Sequence, residues 1–146
     1  MDDAFITYRY SENLANTGEI SWNPGDREFG FSSLAWVLVN ALAIKFGLSL
    51  PMAAKLLSLI STLLVAWIIH KKVKGELAKG LLASVFLLFP YTWFHAISGM
   101  ETMFFTLILT LYYLLSERIL FGDRVSLCDR ALLILIGVLL AITRLE

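Results

Sequence analysis

The sequence predicts an all-α integral membrane protein with about four transmembrane helices, preceded by interfacial helices on the extracytoplasmic side. Of its 146 residues, 58% are hydrophobic, and the mean hydropathy is +0.75. This apolar share is far above that of an average soluble domain. The apolar residues are gathered in long blocks, with the charged residues in short segments between them. Such alternation is typical of helices that cross a lipid bilayer.

Four blocks are long enough to cross the hydrocarbon core, which requires about 20 mostly apolar residues. They comprise residues 51–70, 78–97, 101–118 and 127–144. Pro90 lies inside the second block and should kink or end its helix, because proline lacks the N–H that the helix ladder needs. None of the four carries a charge at its centre, so the sequence gives no indication of an ion or proton pathway.

Residues 31–50 form a fifth apolar block, which either crosses the membrane or lies along its surface. Polar residues interrupt it, namely Ser32, Ser33, Asn40 and Lys45.

The segments 70–79 and 116–130 are basic, whereas residues 1–32 contain six acids against Arg9 and Arg27. Short basic loops stay in the cytoplasm. If residues 31–50 lie in the interface, residues 1–50 form an extracytoplasmic head on the same side as 98–101 and 144–146. This arrangement gathers the acids of these segments on one face of the membrane, so we expect residues 31–50 to lie in the interface.

Composition and motifs exclude several classes of function. The formal net charge is zero, so we expect no nucleic-acid partner. The single cysteine, Cys128, cannot form an internal disulfide. The sequence contains no glycine-rich phosphate loop, no Cys/His metal cluster and no Ser-His-Asp arrangement. A nucleotide-sugar site, a zinc site and a hydrolase triad are therefore not indicated.

Two acids and one arginine near the start of the chain are candidates for catalysis or substrate binding. Adjacent carboxylates such as Asp2 and Asp3 can provide a general base and a ligand for a metal or hydroxyl. The structural alternative is that Asp3 caps the following helix and Asp2 interacts with its dipole. Arg9 is suited to binding a phosphate, although an ion pair with Glu12 or Asp2 is the commoner arrangement.

Two further candidates lie where the chain meets the same face of the membrane. Glu101 ends the segment Ser98-Gly99-Met100-Glu101 and presents a carboxylate at the predicted surface. Its structural alternative is a capping box with Ser98, opening the helix that follows. Arg144 ends the last block, and an ion pair with Glu146 is its structural alternative.

Three motifs occur in the order and spacing of a known enzyme family. The first comprises DDAFITYRY (residues 2–10), NPGDR (23–27) and GFSS (30–33). The others are SGMET (98–102) and TR (143–144). Together they resemble membrane glycosyltransferases of the GT-C fold, a superfamily that includes protein O-mannosyltransferases, aminoarabinose transferases and arabinofuranosyltransferases. Leu34 and Leu145 depart from the pattern, since relatives often have proline at both places.

The resemblance implies a partial GT-C fold and a cell-envelope enzyme of the bacterial or archaeal plasma membrane. Its donor would be a sugar linked to polyprenyl phosphate, and its acceptor a hydroxyl of a glycan, lipid or protein. Asp2 or Asp3 would be the catalytic base, with Arg9, Glu101 and Arg144 binding substrate. No cofactor is certain, but a divalent cation beside Asp2 and Asp3 is compatible with the family.

Compared with these enzymes, the chain lacks a first span before Asp2 and everything after Glu146. We therefore expect it to be a fragment of a longer protein, whose activity in isolation does not follow from the resemblance. The alternative is a non-catalytic membrane protein, either part of a transporter or a decayed glycosyltransferase remnant. Transporters place their polar groups near the bilayer midplane, whereas the polar groups here lie near the ends of the apolar blocks.

Overall fold

The computed structural model describes residues 3–23, 25, 30–122 and 125–144, with only the backbone of Asp3. The described part is all-helical and contains no strand. Its helices, in chain order, are α1 (Asp3–Thr17), α2 (Leu34–Lys45), α3 (Leu50–Lys72), α4 (Glu76–Leu88), α5 (Pro90–Ser98), α6 (Thr102–Phe121) and α7 (Leu127–Thr143).

Two or three of the predicted spans have the length and composition to cross a membrane. α3 and α6 each meet this requirement alone. α4 and α5 meet it together and are bent by 57° at their junction, so the predicted break at Pro90 is confirmed. α7 has 17 residues, or about 26 Å, which is at the short limit for a span. The membrane-helix class is thus supported, but a fourth span stays a prediction.

The block at 31–50 contains α2, whose 12 residues extend about 18 Å and are too short for a hydrocarbon core of about 30 Å. Ser33 caps this helix, because its hydroxyl accepts a hydrogen bond from the Trp36 backbone N–H at 3.2 Å. Leu34 is therefore the first helical residue, a position that also suits proline. A single straight span over this block is wrong, whereas its place along the membrane surface stays a prediction.

α3 is the central helix and contacts α2, α4, α5 and α6. Its buried face is lined mainly by small residues, which allow neighbouring helices to approach closely. They are Ala53, Ala54, Ser58, Ser61, Thr62, Val65 and Ala66. At one end of α3, Ser58 donates a hydrogen bond to the carbonyl of Met100 at 3.1 Å and so fixes the α5–α6 turn. We call this the head end, because α1, α2 and Arg144 also lie there.

Aromatic residues of α1 and α2 pack against the head end of the bundle. Tyr8 and Trp36 are buried in a cluster with Ala54 and the partly buried Phe104. The Trp36 indole N–H donates to the carbonyl of Gly99 at 3.1 Å. Burial raises the pKa of the Tyr8 hydroxyl further above physiological pH. The aromatic residues join the head to the membrane helices, which explains their presence in an otherwise polar segment.

The opposite end, which we call the loop end, comprises residues 70–79, 117–122 and 125–130. Cysteine accessibility tests which face of the membrane each end occupies. In a Cys128→Ser background, we expect Asn16→Cys to react with an impermeant maleimide in intact cells, because Asn16 is exposed on α1. Lys74→Cys should react only after permeabilisation, because short basic loops are cytoplasmic. Labelling of Lys74→Cys in intact cells, with Asn16→Cys protected, would reverse the assignment.

Candidate functional site

A cavity of about 310 Å³ lies at the head end, between α1, the loop before α2, and the ends of α6 and α7. Segments that are far apart in the sequence meet there. The lining residues are Ile6, Thr7, Gly30, Phe31, Ser32, Met100, Glu101 and Arg144. Two of the sequence-predicted site residues, Glu101 and Arg144, are therefore brought to one cavity.

Glu101 is positioned by a tight turn between α5 and α6. Gly99 has φ +78°, a left-handed conformation that glycine adopts without steric cost. The Ser98 hydroxyl donates to the His95 carbonyl at 3.1 Å and accepts from the Met100 N–H at 3.2 Å. Ser98 thus ends α5, and the cap residue of α6 is Glu101, without a side-chain capping bond. The capping-box alternative for Ser98 and Glu101 is wrong.

The environment of Glu101 is unusual for a carboxylate. The residue is only 5% exposed, and among the described residues its side chain has no hydrogen-bond or ion-pair partner. Burying a charged group without a partner costs free energy. Structural ion pairing within the described residues therefore does not explain this acid, and the residue lines a cavity in which a ligand can supply further contacts.

Arg144 follows directly after α7 and is exposed. Its guanidinium carbon lies 5.9 Å from the centre of the Phe105 ring, close enough for a cation–π contact. No described residue forms an ion pair with it. Glu146, its predicted structural partner, lies outside the described residues. The cavity is thus lined by one carboxylate and one guanidinium that do not pair with each other.

Arg9 is not among the lining residues of the cavity. Its Nε donates to the carbonyl of Trp22 at 3.2 Å, and its Nη1 lies 3.8 Å from a carboxylate oxygen of Glu12. The predicted ion pair with Glu12 is therefore confirmed. This pair is about half exposed on both sides, so it contributes little to stability. The proposed substrate contact of Arg9 remains a prediction.

Asp2 and the side chain of Asp3 lie outside the described residues, so their roles as base or metal ligand stay predictions. The backbone of Asp3 begins α1, one helical turn before Thr7 of the cavity wall. Asp3 lies in the first turn instead of preceding it, a difference within the usual uncertainty of helix ends. In the described part of the chain, no group of three His, Cys, Asp or Glu side chains is arranged to bind a metal.

Sequence reasoning missed the contacts that hold the cavity wall together. The Tyr10 hydroxyl accepts a hydrogen bond from the Gly30 N–H at 2.9 Å, and its ring lies 5.1 Å from that of Phe31. The Asn13 amide donates to the carbonyls of Ser21 and Trp22, both at 2.8 Å. Buried tyrosine and asparagine side chains need partners, but the sequence does not indicate which. Thr7 and Ser32 could not be predicted as cavity residues either, since small polar residues are common throughout proteins.

The chain was compared with known proteins at three levels. No protein-family model, no curated protein and no solved structure matches it. The functional argument therefore depends on the motifs and on the cavity.

Proposed function

We propose that this chain is part of a membrane glycosyltransferase that transfers a sugar from a polyprenyl-phosphate donor to an acceptor hydroxyl on the extracytoplasmic side. The observation that carries the proposal is the cavity at the head end. Its lining residues come from all three motif regions, and it contains a buried carboxylate and a guanidinium that are not paired with each other. A motif resemblance alone does not require its segments to meet in space.

The reaction needs a base for the acceptor, a positive partner for the phosphate and an apolar surface for the polyprenyl chain. A carboxylate takes the proton of the acceptor hydroxyl while the new oxygen–carbon bond forms at the anomeric carbon. The bond from that carbon to the phosphate oxygen breaks, and polyprenyl phosphate departs. A single displacement of this kind inverts the anomeric configuration, through a transition state resembling an oxocarbenium ion.

The residues present suit these three tasks. Asp2 or Asp3 is the proposed base, and Glu101 is the group that we propose orients the acceptor. The Arg144 guanidinium can bind phosphate through two parallel hydrogen bonds. Exposed apolar residues of α6 and α7, the two helices that have one end at the cavity, provide an apolar surface, among them Leu109 and Val138. A divalent cation at Asp2 and Asp3 remains compatible with this scheme.

Binding of polyprenyl phosphate tests the proposal without knowledge of the donor sugar. We expect Arg144→Ala to weaken binding of undecaprenyl phosphate about tenfold or more, because a hydrogen bond to a charged group contributes about 1.5–3 kcal/mol. Binding of undecaprenol, which lacks the phosphate, should not change. The measurement is a titration of the purified chain in detergent.

Arg130→Ala is the matched control, since Arg130 is an exposed arginine at the opposite end of the same helix. It should bind undecaprenyl phosphate like the unmodified chain. Equal affinity for the phosphate and the alcohol, or equal effects of the two substitutions, would contradict a phosphate site at Arg144. That result would favour a non-catalytic membrane protein.

A further inference from the structure

A second concave surface lies at the loop end, away from the cavity described above. It is a groove of about 440 Å³ between the ends of α3, α6 and α7. Its wall is mainly aliphatic, formed by Leu111 and Leu115 of α6 and by Leu132 and Ile136 of α7, and its charged lining residues are Lys72 and Arg118. Its residues nearest the head-end cavity are Leu111 and Ile136, which lie ten residues from Glu101 and eight from Arg144, or about 15 Å and about 12 Å along their helices.

The two cations of the groove differ in how they are held. An Nη atom of Arg118 lies 3.5 Å from Oδ1 of Asp129. The other oxygen of Asp129 accepts from the backbone N–H and the hydroxyl of Ser126, both at 2.9 Å, within a capping box. Asp129 thus orients Arg118 and leaves further guanidinium donors for a ligand. Lys72 has no ion pair or side-chain hydrogen bond among the described residues.

The surrounding charge is positive. The described residues of the loop end, 70–79, 117–122 and 125–130, contain six Lys and Arg against three Asp and Glu, a net charge of +3. Of these acids, Glu76 is already paired with Lys79 at 2.6 Å. An anion approaching Lys72 and Arg118 therefore meets an attractive field even though Asp129 is close.

We infer that this groove binds an anionic phospholipid, with the phosphate between Lys72 and Arg118 and an acyl chain along the leucines. A soluble anion would leave the aliphatic wall unused, and a zwitterionic lipid would bring a further positive charge close to the two cations. The groove lies at the ends of two candidate membrane helices, where lipid headgroups lie. Basic pockets between membrane helices at this level are suited to anionic headgroups.

Lipid titration of the purified chain in a neutral detergent tests this inference. Dioleoyl phosphatidylglycerol should bind more tightly than dioleoyl phosphatidylcholine, which has the same acyl chains and no net charge. Lys72→Gln should weaken binding of phosphatidylglycerol about fivefold, the factor expected for one lysine near a headgroup, and weaken binding of phosphatidylcholine less, because its choline offsets the phosphate charge. Lys71→Gln is the matched control, because it removes the same charge from the neighbouring residue, which does not line the groove.

A second pair of variants tests the apolar part. Leu132→Trp should obstruct the groove and weaken phosphatidylglycerol binding with both cations intact. Leu135→Trp adds the same bulk at an exposed residue outside the groove and should have no effect. Equal binding of the two lipids, equal effects of Lys71→Gln and Lys72→Gln, or full competition by glycerol phosphate alone would each overturn the inference. Equal binding of the two lipids would show that the groove has no headgroup preference. Equal effects of the two lysine substitutions would show that only the overall positive charge of this end matters. Full competition by glycerol phosphate would show an anion site that does not bind an acyl chain.

Discussion

Gly99→Ala is expected to lower the free energy of unfolding by about 3 kcal/mol, the largest stability effect that we expect from a single methyl group in this chain. A left-handed backbone costs alanine about 1–2 kcal/mol, and Gly99 has φ +78°. The added Cβ would also overlap the Tyr8 hydroxyl, and overpacking of this kind typically costs about 1–3 kcal/mol. The measurement is equilibrium unfolding of the purified chain in mixed detergent micelles.

Two glycines and one tyrosine separate these contributions. Gly47→Ala has the same kind of backbone, with φ +79° and no atom near the added Cβ, so it should show the backbone cost alone. Gly80→Ala lies within α4 in open space and should be neutral or slightly stabilising. Tyr8→Phe removes the overlapping hydroxyl and should recover part of the loss in the double variant. If Gly99→Ala costs no more than Gly47→Ala, the close packing of Tyr8 on this turn is not important for stability.

The membrane helices could be predicted from the sequence because their signal is local. A run of about 20 apolar residues forms a helix wherever it lies in a bilayer, and α3 and α6 match the predicted blocks to within a few residues. The break at Pro90 is equally local, since it follows from one missing N–H. The packing of α1 and α2 on the bundle could not be predicted. It depends on contacts such as Trp36 with Gly99, which are 63 residues apart.

Local patterns were less reliable for the candidate site. The spacing S-x-x-E at Ser98 suggested a capping box as the structural alternative, but α5 continues to Ser98, and the left-handed Gly99 separates that residue from the start of α6. The related spacing of Ser126 and Asp129 does form a capping box, because an extended residue precedes α7 there. Glu101 and Arg144 were predicted from their places at the ends of apolar blocks and from the motif resemblance, and these two residues line one cavity.

The largest effect on activity is expected at the acidic pair. In a sugar-transfer assay with the longest form of the protein that shows turnover, we expect Asp2→Asn or Asp3→Asn to slow the chemical step by roughly a hundredfold or more, as for the loss of a general base. Binding of undecaprenyl phosphate should change much less, because the base acts on the acceptor hydroxyl. Glu12→Gln is the matched control, since it neutralises an exposed acid on the same helix that already pairs with Arg9.

Capping predicts a different result for the same substitutions. Asparagine retains most of the hydrogen bonding of an N-cap aspartate, so a purely structural role predicts little loss of stability and little loss of activity. If both asparagine variants turn over at near the original rate, the base must be sought at Glu101. Glu101→Gln would then abolish transfer while leaving the fold as stable as before or more stable, because it removes a buried charge that has no partner among the described residues. Loss of activity with retained stability at one of these acids, and not at Glu12, would identify the base.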